Sequence, residues 1–279
     1  MTIERQIMHR VKGMPTSDGA GVNLTRLIGT PYLDMVDPFL MLDFFSSDIP
    51  DQYIAGFPSH PHRGFQTVTY MLAGRIRHKD SMGNEGVIEQ HGVQWMSAGR
   101  GVIHEEMPEQ EEGLMQGFQL WVNLPAKDKM SAPNYQEFAA EELAEEQLDN
   151  GGLVRVVSGT TAAGTQGPVK QLDIEPIYMD ISLPQAGQFT QPVNHTANAF
   201  VFIINGAISI GNKLLNQGEL AILGTGDSVN LLASRPDTRV LLVAGNPIGE
   251  PVAKGGPFVM NTREEVHQAF TDFQTGNFL

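Results

Sequence analysis

Two pairs of residues at dipeptide spacing, His60-Pro61-His62 and His104-Glu105-Glu106, constrain this chain more than any other feature. The run after the first pair, Arg63-Gly-Phe-Gln-Thr-Val-Thr-Tyr-Met-Leu-Ala-Gly74, is rich in the Val, Thr and Tyr of strands. Alternate residues of a strand face one side, so each pair presents both its members to one surface. Pro61 lacks a ladder donor and biases His60 toward extended geometry, as at a strand start or edge. The second pair follows the Gly-rich turn Ala98-Gly-Arg-Gly101. Two such strands facing each other across a barrel aim three imidazoles and one carboxylate at a common point. Three neutral nitrogens and one oxygen suit a borderline divalent metal such as iron, zinc, nickel or copper, and make a poor cage for calcium or magnesium. A single His-x-His arises by chance on any polar strand; a second pair makes coincidence the weaker account. Glu105 points away from its neighbours. His9, His78, His91, His195 and His267 have no partner at ligand spacing and read as surface groups.

The chain has no cysteine. Disulfides and thiolate metal sites are excluded, and a metal must rest on histidine and carboxylate. With 18 Lys and Arg against 32 Asp and Glu, the formal net charge is 18 − 32 = −14. Such a surface repels phosphate backbones, and direct nucleic-acid binding is not expected. Residues Met1 to Val11 carry polar and charged groups where a signal peptide needs an apolar core. No apolar run approaches membrane-spanning length. The expectation is a soluble, cytoplasmic chain without membrane contact, and a monomer.

The 279 residues permit one large domain or two ordinary ones. Phe39-Leu-Met-Leu-Asp-Phe-Phe45 reads as a buried strand, with pocket lining as the alternative use of its side chains. From His60 to Leu124, strand-like runs recur between Gly-rich turns, the pattern of a sandwich or barrel. Pro125 to Gly152 is polar and carries the acidic run Glu141-Glu-Leu-Ala-Glu-Glu146. It reads as a connector with one short helical turn, with a domain boundary near residue 138. The second half repeats the style of the first. Aligning Gly74 with Gly206 places Pro192 and Asn194 at the positions of His60 and His62, and aligning Gly99 with Gly224 places Val229 and Leu231 at those of His104 and Glu106. If the halves are related, the second has lost every ligand. At the C-terminus, Thr262-Arg-Glu-Glu265 is a capping box. Val266, Phe270 and Phe273 follow at the spacing of one buried helical face.

Four runs carry a family resemblance: Asp37-Pro-Phe-Leu-Met-Leu-Asp-Phe-Phe45, His60-Pro-His-Arg-Gly-Phe-Gln-Thr-Val-Thr-Tyr70, Val93-Gln-Trp-Met-Ser-Ala-Gly-Arg-Gly-Val-Ile-His-Glu-Glu-Met107 and Gln119-Leu-Trp-Val-Asn-Leu124. They resemble the pirin family, two-domain members of the cupin superfamily, and the likeness extends over nearly the whole chain. It implies an all-β fold of two tandem cupin (jelly-roll) β-barrels with a C-terminal helix. Residues 1–138 would form a metal-binding cupin, and residues 139–279 a degenerate cupin carrying the helix. The resemblance implies one metal on His60, His62, His104 and Glu106, most often Fe(II), with Zn, Ni, Cu, Co or Mn as alternatives. It implies either a quercetin (flavonol) 2,3-dioxygenase consuming O2, with Glu106 taking the substrate proton, or a non-enzymatic regulator that binds a protein partner. In the enzymatic reading, Phe45, Phe57 and Met107 line the pocket. The general cupin pattern has a glutamate where this chain has Gln66, which leaves Gln66 a place in the metal's surroundings. His91 stands where the family favours a small turn residue.

Overall fold

The computed structural model describes residues 2–170 and 173–279. Its contacts divide the chain into two compact units, one of Met14–Ala140 with Ile248–Leu279, the other of Met1–Gly13 with Glu141–Pro247. The linear division expected at 138/139 lies beside the passage from Ala140 to Glu141, but the terminal segments group otherwise. Strand Ile7–Lys12 pairs along Glu219–Leu223, which places it in the unit of the second half. The C-terminal helix packs on strands Ala253–Gly255 and Phe258–Met260, in the unit of the first half.

The first-half unit is a sandwich of a seven-stranded and a four-stranded antiparallel sheet. Taken across the large sheet, the strands run Asn134–Phe138, Val93–Ser97, Phe65–Ala73, Met115–Asn123, Phe39–Ser47, Val22–Ile28 and Met14–Asp18. The small sheet runs Phe57–His62, Val102–Pro108, Ile76–Asp80 and Glu85–Ile88. The run from His60 to Gly74 is thus two strands in different sheets, and not one. The chain turns between them at Arg63-Gly64, where Gly64 adopts φ 86° and a Cβ would stand 2.0 Å from the Val259 carbonyl oxygen. Only glycine fits there.

The second-half unit repeats this topology strand for strand, with Ile7–Lys12 at the edge that Asn134–Phe138 occupies in the first. The expected relation between the halves is therefore visible as topology, and the two interiors differ in kind. Across the large sheet of the second unit, the directly opposed residues Val156, Met179, Leu242, Val201 and Ala221 form an apolar row. All five belong to one buried core cluster. The corresponding row of the first unit is Arg26, Asp43, Gln119, Thr69 and Gln94. Directly opposed residues share a face, so a polar stripe crosses one barrel where aliphatic side chains fill the other.

The expected connector holds short helical turns at Ala126–Asp128 and Ala140–Glu142 and, beyond the expectation, two strands, Asn134–Phe138 and Ala144–Gln147. Both are sheet edges, where charged side chains are tolerated and guard against unwanted pairing. The C-terminal helix spans Arg263–Thr275 behind the expected capping box of Thr262 and Glu265. Its buried residues are Val266 and Ala269. Phe270 and Phe273 rest on Phe258 but stay more than one-third exposed, so the buried face is narrower than the spacing suggested.

Because the second unit is held by its aliphatic row, Leu242→Ala should destabilise it by about 2–5 kcal/mol while metal content at native conditions stays unchanged. Chemical denaturation together with elemental analysis checks this. An unaltered midpoint would mean that the row is not close-packed.

Candidate metal centre

His60 and His62 end the strand Phe57–His62, and His104 lies on the neighbouring strand Val102–Pro108. The two strands are adjacent antiparallel partners, with His104 directly opposite His60 and His62 opposite Val102. The pairs therefore meet side by side in one sheet and do not face each other across the barrel. One ring nitrogen from each of the three imidazoles falls within a 4.8 Å cluster. His62 and His104 are buried and His60 is half-buried.

The ring orientations suit a metal. His60 Nδ1 donates to the Pro58 carbonyl at 2.8 Å, which leaves its Nε2 lone pair free. Nε2 of His60 lies 3.0 Å from Nε2 of His62. With metal–nitrogen bonds of about 2.1 Å, that separation corresponds to an angle of about 90° at the metal, whereas a tetrahedral site sets nitrogens about 3.4 Å apart. Both ring nitrogens of His104 lack a hydrogen-bond partner among the described residues. Burial pushes His104 well below the usual histidine range, with His62, His60 and His78 adding to the effect. Burial, followed by His60, lowers His62 likewise against a small opposing contribution from the Pro257 backbone. Both rings are held neutral, the form that ligates. Three clustered imidazoles, two of them held neutral by burial and one without hydrogen-bond partners among the described residues, fit a divalent transition metal.

Glu106 is buried on the same strand face as His104, but its carboxylate is not part of the 4.8 Å cluster. Gln119 Nε2 donates to its Oε2 at 3.1 Å. The Thr69 hydroxyl lies 2.6 Å from both Glu106 Oε1 and Gln119 Oε1, with one proton to give, so one of those bonds forms at a time. Glu105 faces the other way and pairs with Arg77 at 3.7 Å. Gln66 accepts a hydrogen bond from the Trp95 indole at 3.0 Å, and alternation sets it on the opposite face of its strand from Thr69.

A cavity of about 600 Å³ opens onto His60, His62 and Glu106. Phe45 and Phe57 line it as expected, together with Met41 and Trp121; Met107 does not, because it points from the same strand in the opposite phase to Glu106. The run Phe39–Phe45 is thus both core and wall. Met41, Asp43 and Phe45 face the cavity, while Leu40 and Leu42, in the alternate phase, are buried. Asp43 receives Nε and Nη2 of Arg26 at 2.9 and 2.7 Å. Burial raises the Asp43 carboxyl, and Arg26 opposes that rise.

Sequence reading missed several of these groups. His78, read as a surface residue, is fully buried, with ring centroids 5.3 Å from His104 and 5.2 Å from Tyr135. Its exposed neighbour Lys79 and the half-buried Arg77 carry the polar face of that short strand, and alternation turns His78 inward. His91 occupies a turn with φ 65°, the conformation that favours the family's small residues. Two clamps fix the turn after His62. Arg63 donates to Asp272 at 2.6 Å, to the Phe278 carbonyl at 3.2 Å and to the Arg100 carbonyl. The buried Lys129 ammonium donates to the carbonyls of Gly64 and Val259 and to Asn123 Oδ1, and burial lowers its pKa to about 8.

The chain is similar to known proteins in sequence and fold. The Pirin family model matches residues 21–122, and the model of the Pirin C-terminal cupin domain matches residues 178–279. A Pirin-like protein of Caulobacter vibrioides is 53% identical over 98% of this chain and 99% of its own length. A Pseudomonas aeruginosa protein whose name proposes a quercetin 2,3-dioxygenase is 45% identical over 99% of each. Among solved structures, the quercetin 2,3-dioxygenase of Acinetobacter baumannii matches with a TM-score of 0.90 and 32% identity, covering 99% of this chain and 98% of that one.

Two outcomes follow from the histidine cluster. Purified protein should carry one tightly held transition metal per chain, lost in His62→Ala or His104→Ala; a second equivalent surviving both substitutions would place metal elsewhere. Without metal, His62 and His104 resist protonation in the folded state, whereas the unfolded chain takes up protons as pH falls through about 6.5. Stability is then complete above that pH and declines below it, by up to about 1.4 kcal/mol per pH unit for each imidazole. Urea melts of metal-free protein from neutral to mildly acid pH measure the slope, which His104→Leu should reduce. A flat profile would contradict the burial argument.

Proposed function

This chain belongs to the pirin family, and we propose from that premise that it is a metal-dependent quercetin (flavonol) 2,3-dioxygenase whose metal rests on His60, His62, His104 and Glu106. The observation that carries the reading is the cavity of about 600 Å³ opening onto the histidine cluster. Its size lies within the range of small-molecule sites, and its apolar walls suit a flat aromatic ligand. A non-enzymatic regulator that docks a protein partner also uses the imidazoles, but it gives the cavity no purpose.

In this reading His60, His62 and His104, with Glu106 beside them, would hold the metal where the cavity meets the cluster. A bound divalent metal, with Fe(II) the first choice and Zn, Ni, Cu, Co or Mn the alternatives, supplies Lewis acidity toward the flavonol hydroxyl and a route for electrons to dioxygen. Glu106 accepts the hydroxyl proton as the flavonol binds. Thr69 and Gln119 orient its carboxylate for that transfer, and the Thr69 proton, shared between two acceptors, can follow the change in charge on Glu106. Phe45, Phe57 and Trp121 enclose the ring system and exclude water.

Glu106→Gln keeps the size and an oxygen donor but removes the basicity. Flavonol turnover should fall by about 100- to 10,000-fold while most of the metal is retained. Oxygen uptake at saturating metal, alongside metal analysis, reads both quantities. Loss of metal with normal rates after reloading would make Glu106 a ligand only, and absence of oxygen uptake in the wild type across metals would remove the dioxygenase reading.

A further inference from the structure

The cavity has a second polar end. The stripe that holds Glu106 through Thr69 and Gln119 continues to Asp43 and then to Arg26, one residue per strand. Two strand spacings separate Gln119 from Arg26, roughly 10 Å. Beyond Arg26, its Nη2 also meets Asp18 Oδ2 at 2.8 Å, and Asp18, Arg26 and Asp43 all line the cavity. Asp18 is held at that rim by the turn that follows it. Gly19 adopts φ 59°, and a Cβ there would stand 2.5 Å from the Gly56 carbonyl oxygen, so the hairpin tip lies directly on the strand entrance beside Phe57.

We propose that Arg26 and Asp18 form a distal subsite that binds the hydroxyl groups of a multi-ring phenolic substrate whose other end meets the histidines. The inference rests on the flavonol reading and adds to it which substrates are taken. Nε and Nη2 of Arg26 are committed to the two carboxylates, while Nη1 has no partner among the described residues. The Asp18 carboxylate is half-exposed. A phenolic hydroxyl can donate to that carboxylate and accept from Nη1 at once, and vicinal hydroxyls can divide the two roles. One cation and two carboxylates give this end a formal charge of −1, which disfavours an acidic ligand group and leaves neutral hydroxyls as the matching chemistry. A single ring cannot span both ends of the stripe; a three-ring skeleton can, with Phe45, Phe57 and Trp121 along its faces. The fold does not need Arg26 or Asp43, because Val156 and Met179 stand at their positions in the second barrel.

The test is equilibrium binding without oxygen, followed by quenching of tryptophan fluorescence, since Trp121 lines the cavity. Metal-loaded protein is titrated with quercetin and with the flavonol that lacks both hydroxyls on the pendant ring. The hydroxylated compound should bind about 10- to 100-fold tighter, the worth of one hydrogen bond to a charged group. In Asp18→Ala, an exposed position, that ratio should collapse toward one. Arg26→Lys keeps the charge but loses the fork, and should lower the ratio as well. Equal affinities in the wild type, or a ratio unchanged in both variants, would overturn the subsite. Turnover separates the two claims. Hydroxyl-dependent binding with no oxygen uptake would sink the dioxygenase and leave the subsite, whereas oxidation of both flavonols with equal KM would sink the subsite and leave the dioxygenase.

Discussion

Three imidazoles crowded within 4.8 Å of one another, largely out of water, are the constraint on which the rest of the first barrel depends. Burial, reinforced by the neighbouring imidazoles, holds His62 and His104 neutral. The His104 ring, buried with no hydrogen-bond partner among the described residues, is itself costly, about 1–3 kcal/mol for each unsatisfied polar group. A cation shared by all three relieves that cost. The surroundings hold the rings for that purpose: Pro58 fixes His60, and Gly64 lets the chain turn sharply behind His62. Lys129 and Arg63 then tie that turn to the strand Phe258–Met260 and to the C-terminal helix.

The second barrel serves as an internal control. It has the same strand order, yet its interior is aliphatic where the first carries Arg26, Asp43, Gln119 and Thr69. A sheet of this topology thus forms with an apolar row at these positions, where no buried polar group requires a partner. The polar stripe is therefore best explained by what the cavity binds. Its two ends have separate uses in that account. Thr69 and Gln119 hold the carboxylate beside the histidines, and Arg26 with Asp18 meets the far end of the ligand.

Much of this was legible in the sequence for physical reasons. Period-two alternation exposed the strands and brought out His60, His62, His104 and Glu106, and the aligned glycines exposed the repeat. Alternation does not say which strands are neighbours, so His60 and His104 were read as facing across a barrel when they are opposed in adjacent strands. Nor does one polar residue in a short strand show which way it points, and His78 was misread for that reason. The stripe left a trace in the inward-facing Thr67 and Thr69, Asp43 and Gln119, polar residues in otherwise apolar strands. Their meeting depends on the register between three strands, and a linear pattern does not contain it. The exchange of terminal segments was equally hidden, because an edge strand such as Ile7–Lys12 fits any open sheet edge of matching pattern.

The central claim is that three imidazoles of the first barrel hold one metal with its cavity side open. X-ray absorption at the metal edge of iron-loaded protein tests it most directly. The account predicts three imidazole nitrogens at about 2.1 Å, completed by oxygen neighbours and falling to two nitrogens in His104→Ala. Fewer than three imidazoles in the wild type, or a closed tetrahedral shell with no oxygen neighbour, would contradict it.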